Sequence, residues 1–153
     1  MANETDLYFM GKAIEQAVLA AQDGEVPVGA VIVKDGQIIS VGRNKREFGK
    51  NALYHAETEA IDLACKALGG WRLIGCTLYV TLEPCPMCAG AIINSRIERV
   101  VFGAFDKKAG SLGSVVNLFD LPYNHKPELL GGVMEQECGE LLSSFFEKLR
   151  KKD

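Results

Sequence analysis

The chain has 153 residues, with 17 basic against 20 acidic side chains, a formal charge of −3 and 48% apolar composition. One hydrophobic core usually takes about 100 to 200 residues, so a single domain over residues 1–153 is expected rather than two. Apolar runs such as Ala30 to Val33 are far too short to cross a bilayer, and Met1 to Asp6 is polar and acidic rather than signal-like, which points to a cytoplasmic protein without membrane attachment. The slight acidity gives no support for indiscriminate nucleic-acid binding and leaves room only for a local basic groove. Five cysteines, Cys65, Cys76, Cys85, Cys88 and Cys138, are odd in number and unevenly spaced, so reduced thiols are expected rather than a disulfide framework.

Between Asp6 and Ala21 the residues Leu7, Met10, Ile14, Ala17, Val18 and Ala21 recur at helical spacing, with Thr5 or Asp6 available as the cap and Asp23-Gly24 as the stop. Val28 to Val33 and Gln37 to Val41 read as strands of a hairpin, joined through Asp35-Gly36. A helix follows from about His55 to Leu68, ended by Gly69-Gly70, and then a strand from Thr77 to Thr81. Cys85 to about Asn94 reads as a helix with Pro86 in its first turn, where a missing N–H does no harm. Arg99 to Phe102 is expected as a strand, Ser111 to Phe119 as a short helix and Leu129 to Val133 as a strand or extended piece. The closing helix carries Cys138, Leu141, Leu142, Phe145, Phe146 and Leu149 on one face. Alternating strands and helices imply an α/β layered fold with a central sheet covered by helices. Neither GxGxxG nor GxxxxGK[ST] occurs, so nothing favours a dinucleotide or nucleoside-triphosphate fold.

The chemistry concentrates in His55-Ala56-Glu57 and Pro84-Cys85-Pro86-Met87-Cys88. Cys85 and Cys88 are three apart, so in a first helical turn both thiols lie on one side, where free N–H groups favour thiolates. Two thiolates and a neutral imidazole make a three-ligand set suited to zinc, with the fourth tetrahedral position left for water. Glu57, two residues past His55, is the candidate to move a proton beside that water, as a shuttle and not a ligand. Residues i and i+2 do not share a face of a regular helix, so His55 is expected at the loop-to-helix junction. Taken singly, the pieces also fit duller roles. Cys-x-x-Cys suits a redox pair or half of a structural zinc site, and Glu57 suits an acidic first-turn residue.

Together with longer stretches, these motifs resemble the cytidine/deoxycytidylate deaminase superfamily and, within it, the bacterial tRNA-specific adenosine deaminases. The resemblance rests on Gly24-Glu25-Val26-Pro27-Val28-Gly29-Ala30, Gly42-Arg43-Asn44, His55-Ala56-Glu57, Trp71-Arg72-Leu73, the run Thr77 to Ala91, Val101-Phe102-Gly103-Ala104, Asn124-His125 and Phe145-Phe146. It implies a three-layer fold with a mixed five-stranded sheet, a homodimer with one Zn²⁺ per subunit, and conversion of the wobble adenosine of a tRNA anticodon to inosine. On this resemblance His55, Cys85 and Cys88 hold the metal and Glu57 is the acid/base. Asn44 hydrogen-bonds the extruded nucleoside, Val28 and His55 sandwich its base, and the backbone at Ala56 and Glu83 borders the reacting edge. The same resemblance puts Asp106, Lys107, Lys108, Asn124, His125, Phe145, Phe146 and Arg150 near the anticodon loop.

Other readings stay open for individual residues. Asn44 suits a turn, Val28 a hairpin core and His125 an ordinary loop contact. Before His55 the chain reads Asn51-Ala52-Leu53-Tyr54, where many tRNA enzymes have proline or threonine and then alanine, and Thr58-Glu59 replaces a more usual apolar continuation. Tyr54 either faces the cleft, narrowing it or offering a stacking platform, or faces the core. Lys107, Lys108, Lys126, Lys148, Arg150, Lys151 and Lys152 can line a phosphate track, or the terminal ones can simply cap a helix end. Gly90 to Ile93 suit either a dimer surface or the core. The alternative functions are the same chemistry on a free nucleobase or nucleoside (guanine, cytosine, adenine or a modified base) and a non-catalytic, zinc-stabilised RNA-binding domain.

Overall fold

The structure, a computed structural model, describes residues 2–151. In chain order it contains α1 (Glu4–Gln22), β1 (Gly29–Lys34), β2 (Gln37–Arg43), α2 (Ala56–Leu68), β3 (Cys76–Leu82), α3 (Pro86–Asn94), β4 (Arg99–Ala104), a 3₁₀ turn (Leu118–Asp120), β5 (Glu128–Leu130) and α4 (Glu135–Lys151). Five strands form one mixed sheet in the order β2-β1-β3-β4-β5. β1 runs antiparallel to β2 and β3, whereas β3, β4 and β5 are parallel. Strand alternation sends Ala30, Ile32, Leu78, Val80, Val100 and Phe102 into one core with α2 and α3. Val31, Val33, Tyr79 and Val101 point the other way, toward α1 and Cys138 of α4. The outcome is the expected three-layer arrangement.

Several local features depart from the sequence reading, each for a visible reason. The cap of α1 is Asn3, not Thr5 or Asp6: its side chain accepts the Asp6 N–H at 2.8 Å, and Asp6 reciprocates toward the Asn3 N–H. Ser111 to Phe119 is not a helix. The Glu83 carboxylate collects the N–H groups of Leu112 and Ser114, Leu112 bridges Asn117, and only the 3₁₀ turn at Leu118–Asp120 is helical. β5 stops at Leu130, before Gly131 and Gly132, the latter at φ 83°. The apolar face of α4 is only partly covered: Cys138 is buried, whereas Phe146 and Leu149 are 42% and 48% exposed. Ile92 and Ile93 belong to the core, leaving Gly90 and the half-buried Ala91 facing outward on α3. Met1, Lys152 and Asp153 lie outside the described residues, and with Lys152 goes one cation of the suggested phosphate track. Among the described residues no helix is long and apolar enough to cross a membrane.

The Asp35-Gly36 turn has φ of 52° and 74°, the two left-handed residues that a tight hairpin requires. Gly42, near the end of β2, has a different purpose. A Cβ there would overlap the carbonyl oxygen of Ala56, so the absent side chain lets the first turn of α2 rest directly on the sheet.

A buried ion pair ties the opposite layer to the sheet. Asp6 of α1 accepts two hydrogen bonds from the Arg99 guanidinium, at 2.7 and 2.9 Å, and one from the Tyr79 hydroxyl at 2.8 Å. The Arg99 bonds lead the causes that hold the Asp6 carboxyl down at about 2. A depressed carboxylate stabilises the fold above its unfolded value of 3.8, and that stabilisation fades as pH falls through 2. Asp6→Asn is therefore expected to lose on the order of 2 kcal/mol at pH 7. The deficit relative to the parent should shrink between pH 4 and pH 2, as read by urea unfolding at a series of pH values.

Candidate active site

Two helix N-termini build the site. His55 is the N-cap of α2, with extended φ −94° and ψ 161°, and Glu57 is the second residue of that helix. The extended cap lets His55 and Glu57 line one cavity despite their i, i+2 spacing, as the junction argument requires. Thr58 locks the junction: its hydroxyl accepts the His55 N–H at 3.1 Å and donates to the Leu53 carbonyl at 2.6 Å. Glu59 accepts the Arg43 N–H at 3.1 Å and pairs with the Lys45 ammonium. The unusual Thr58-Glu59 pair thus fastens the start of α2 to the preceding loop and strand. Cys85 is the N-cap of α3, Pro86 opens the helix, and Cys88 follows in its first turn.

His55, Cys85 and Cys88 offer ligand atoms that all lie within 4.8 Å of one another. The His55 Nδ1 is 3.7 Å from the Cys85 Sγ and 3.5 Å from the Cys88 Sγ. Tetrahedral zinc with ordinary Zn–S and Zn–N bonds requires such donors about 3.6 Å apart, so these residues fit the ion. Hydrogen bonds from Cys88, and then His55, hold the Cys85 thiol down at about 4, while that same shared proton and burial push the Cys88 thiol up. Two sulfurs sharing one proton are a donor set that a dication would hold as two thiolates. The hydrogen bond to Cys85 likewise raises the His55 pKa above its ordinary value. Burial pushes the Glu57 carboxyl up to about 7, with the Cys85 charge adding to the effect.

The donors face a cavity of about 560 Å³ lined by Val28, Asn44, His55, Glu57, Glu83 and Cys85, among others. Its size is within the roughly 300–1,000 Å³ of small-molecule sites. Asn44 turns its amide oxygen to the Ala56 N–H at 3.0 Å, and this fixes the side chain so that its NH₂ is the group offered to the cavity. The turn and ligand readings of Asn44 are therefore compatible. Ala56 itself is buried, its N–H already committed to Asn44, and it does not line the cavity. Val28 is 4% exposed and belongs both to the core and to the cavity wall.

Glu83 contributes more than backbone. Its buried carboxylate accepts N–H groups from Asp106, Leu112 and Ser114 at 3.0 to 3.1 Å and the Ser114 hydroxyl, organising the 106–114 loop. Burial alone would raise its pKa, but these bonds outweigh that effect and bring it below the ordinary value. That loop carries Asp106, Lys107 and Lys108 to the cavity, where Phe146 of α4 joins them. Arg150 adjoins Lys108 and Phe146 in a neighbouring hollow. Sequence reasoning missed Arg46, Phe105 and Leu142, which also line the cavity. The proximity of Arg46 to Asn44 was the one available signal.

Other expected contacts do not reach this cavity. Tyr54 is 47% exposed, packs against Gly49 and lines a second hollow with Arg43, Lys45, Leu53, His55 and Thr58, beside the main cavity but outside its lining and outside the core. His125 donates a ring N–H to the Ile97 carbonyl at 2.7 Å, and Asn124 is exposed beside it. Phe145 meets Phe146 edge-on, with 5.5 Å between centroids, outside the cavity lining. Of the suggested phosphate track, Lys107 and Lys108 line the cavity and Arg150 the neighbouring hollow, whereas Lys126 and Lys151 form exposed ion pairs with Asp120 and Glu147, and Lys148 lines neither.

Residues 3–104 match the family profile of the cytidine and deoxycytidylate deaminase zinc-binding region. The chain belongs to that family, in the branch of the tRNA-specific adenosine deaminases. It is 55% identical over 148 residues to the tRNA-specific adenosine deaminase of Bacillus subtilis strain 168, covering 96% of this chain and 92% of the relative. The corresponding protein of Aquifex aeolicus strain VF5 is 51% identical over 144 residues, 94% of this chain and 95% of its own. A solved structure from studies of A-to-I editing by tRNA:A34 deaminases superposes with a TM-score of 0.86 at 44% identity, covering 88% of this chain and 99% of that one. Family membership and the donor geometry together make this a zinc-dependent hydrolase with one metal site per chain.

Cys88→Ala leaves only one sulfur and the imidazole as donors. The purified variant is expected to retain well under half an equivalent of zinc where the parent holds about one. Metal analysis by mass spectrometry checks this.

Proposed function

We infer that this chain hydrolytically deaminates the wobble adenosine of a tRNA anticodon to inosine and releases ammonia. The observation that carries the reading is the buried Glu57 carboxylate sharing one cavity with His55 and Cys85, behind which Cys88 completes the zinc donor set, under a mouth bordered by Lys107 and Lys108. The tRNA specificity of the relatives, matched over nearly their whole length, supplies the substrate. The expected whole is a cytoplasmic homodimer of single zinc-dependent deaminase domains, with no membrane partner.

In the reaction, the C6–N bond of adenine breaks and a C6–O bond to the incoming water forms. Zinc, when bound, supplies the Lewis acidity that lets water act as a nucleophile near neutral pH. The chain's own residues do the remainder. An unstacked anticodon nucleotide needs only a few kcal/mol to be extruded, which stacking against Val28 and the His55 ring offsets. The Asn44 NH₂ donates to the nucleoside and fixes its orientation. Glu57, whose carboxyl is raised to about 7, accepts a proton from the attacking water, delivers it to the ring nitrogen next to C6 and then helps the amine depart as ammonia. Lys107, Lys108 and Arg150 hold flanking phosphates.

The deciding assay offers the protein an anticodon stem-loop with adenosine at the wobble position, and in parallel adenosine, cytidine, cytosine and guanine. Inosine is expected only in the RNA, with affinity falling as salt rises through counterion release. Product from free bases or nucleosides alone would overturn the tRNA assignment. Glu57→Gln should keep one zinc per chain while lowering kcat by roughly 10²- to 10⁴-fold in single-turnover inosine formation.

A further inference from the structure

Glu25 is among the largest fully buried side chains, at 2% exposure, yet it does not line the cavity and has no part in the chemistry above. Its backbone is fixed, since the Glu25 N–H donates to the Ala20 carbonyl at the end of α1 at 2.9 Å. Among the described residues no lysine, arginine or histidine forms an ion pair with it. The carboxylate is instead satisfied by the loop between β2 and α2. Oε1 accepts the Glu47 N–H at 3.0 Å and Oε2 accepts the Phe48 N–H. The Phe48 side chain, 81% exposed, gives that loop no apolar anchor of its own.

The pinned segment carries two cavity-lining residues, Asn44 and Arg46, and Glu25 itself directly precedes Val26, which with Val28 also lines the cavity. A further bond, from the Asn44 N–H to the Val28 carbonyl at 3.2 Å, joins the two segments. If the loop swung outward, Glu25 would be left as a buried charge without donors, a state strongly disfavoured in a protein interior. The carboxylate therefore works as a latch whose only closed position is the one seen.

We propose that Glu25 is a positioning residue that holds the β2–α2 loop against the cavity and so presets Asn44 and Arg46 for the nucleoside. This rests on the deaminase reading for its kinetic consequence, but not for its structural one. Glu25→Gln preserves shape and replaces one acceptor with an NH₂ that opposes a loop N–H. The expected result is zinc near one per chain, KM for the stem-loop raised about tenfold and kcat within about threefold of the parent. Amide exchange at Glu47 and Phe48 should also be about tenfold faster. Glu25→Asp, which keeps both acceptors on a shorter stem, should fall between.

Unchanged amide exchange at Glu47 and Phe48 would overturn the proposal, as would a lowered melting temperature with KM of the folded enzyme unaltered. Should the parent fail to convert the stem-loop at all, the substrate assignment falls. The exchange measurement on parent and variant then decides for or against the latch by itself.

Discussion

Three donor atoms must meet within one zinc coordination sphere, although they come from two helices that do not adjoin in sequence. His55 caps α2 and Cys85 caps α3, so the metal position exists only where the two helix starts converge on the same end of the sheet. Gly42 permits the approach of α2 to β2, and the β3–α3 turn through Glu83-Pro84 brings the cysteines to meet it. Free N–H groups at both helix starts add a positive field that favours thiolate and carboxylate where the chemistry needs them. The Glu57 carboxyl nonetheless remains readily protonated, because burial dominates its surroundings.

Around this point the loops that border the cavity are held by buried or half-buried side chains. Glu83 gathers the 106–114 loop, Asn44 fastens the start of α2, and Glu25 gathers the loop that follows β2. Each engages backbone N–H groups and so fixes a loop's path while leaving its exposed side chains unconstrained. A site of this kind can keep its inner geometry rigid while the outer surface adapts to a large, charged substrate. Lys107 and Lys108 stand on one such loop, and the partly uncovered end of α4 brings Phe146 and Arg150 beside them.

The unpaired portion of α4 also explains why a mildly acidic protein can present a basic approach. Cys138 seats the helix in the core, but Phe146 and Leu149 emerge as the helix runs past the sheet, and Arg150 emerges with them. Lys107, Lys108 and Arg150 thus stand around the cavity mouth, whereas Lys126 and Lys151 lie in exposed ion pairs with Asp120 and Glu147.

Helical periodicity located α1, α2 and α4, the proline of a first turn marked α3, and β-rich runs between turn residues marked the strands. The Cys-x-x-Cys spacing marked two of the metal donors, since a first helical turn puts residues three apart on one side, and His55-Ala56-Glu57 supplied the imidazole and the carboxyl beside it once His55 was placed at the cap. Boundaries were less legible: the Asn3 cap lies ahead of the first apolar repeat, and β5 is cut short by glycines that follow an apolar pair. The segment 111–119 has a composition compatible with a helix, but its N–H groups are claimed by Glu83, nearly thirty residues earlier in the chain, which no local pattern reveals. For the same reason Tyr54 and His125 ended elsewhere than the cavity, one on Gly49 and the other on the Ile97 carbonyl. Residue type and spacing by themselves determined the donors and their chemistry. Only the tertiary structure decided which loops face the metal, because that depends on long-range hydrogen bonds to buried carboxylates, which leave no periodic trace.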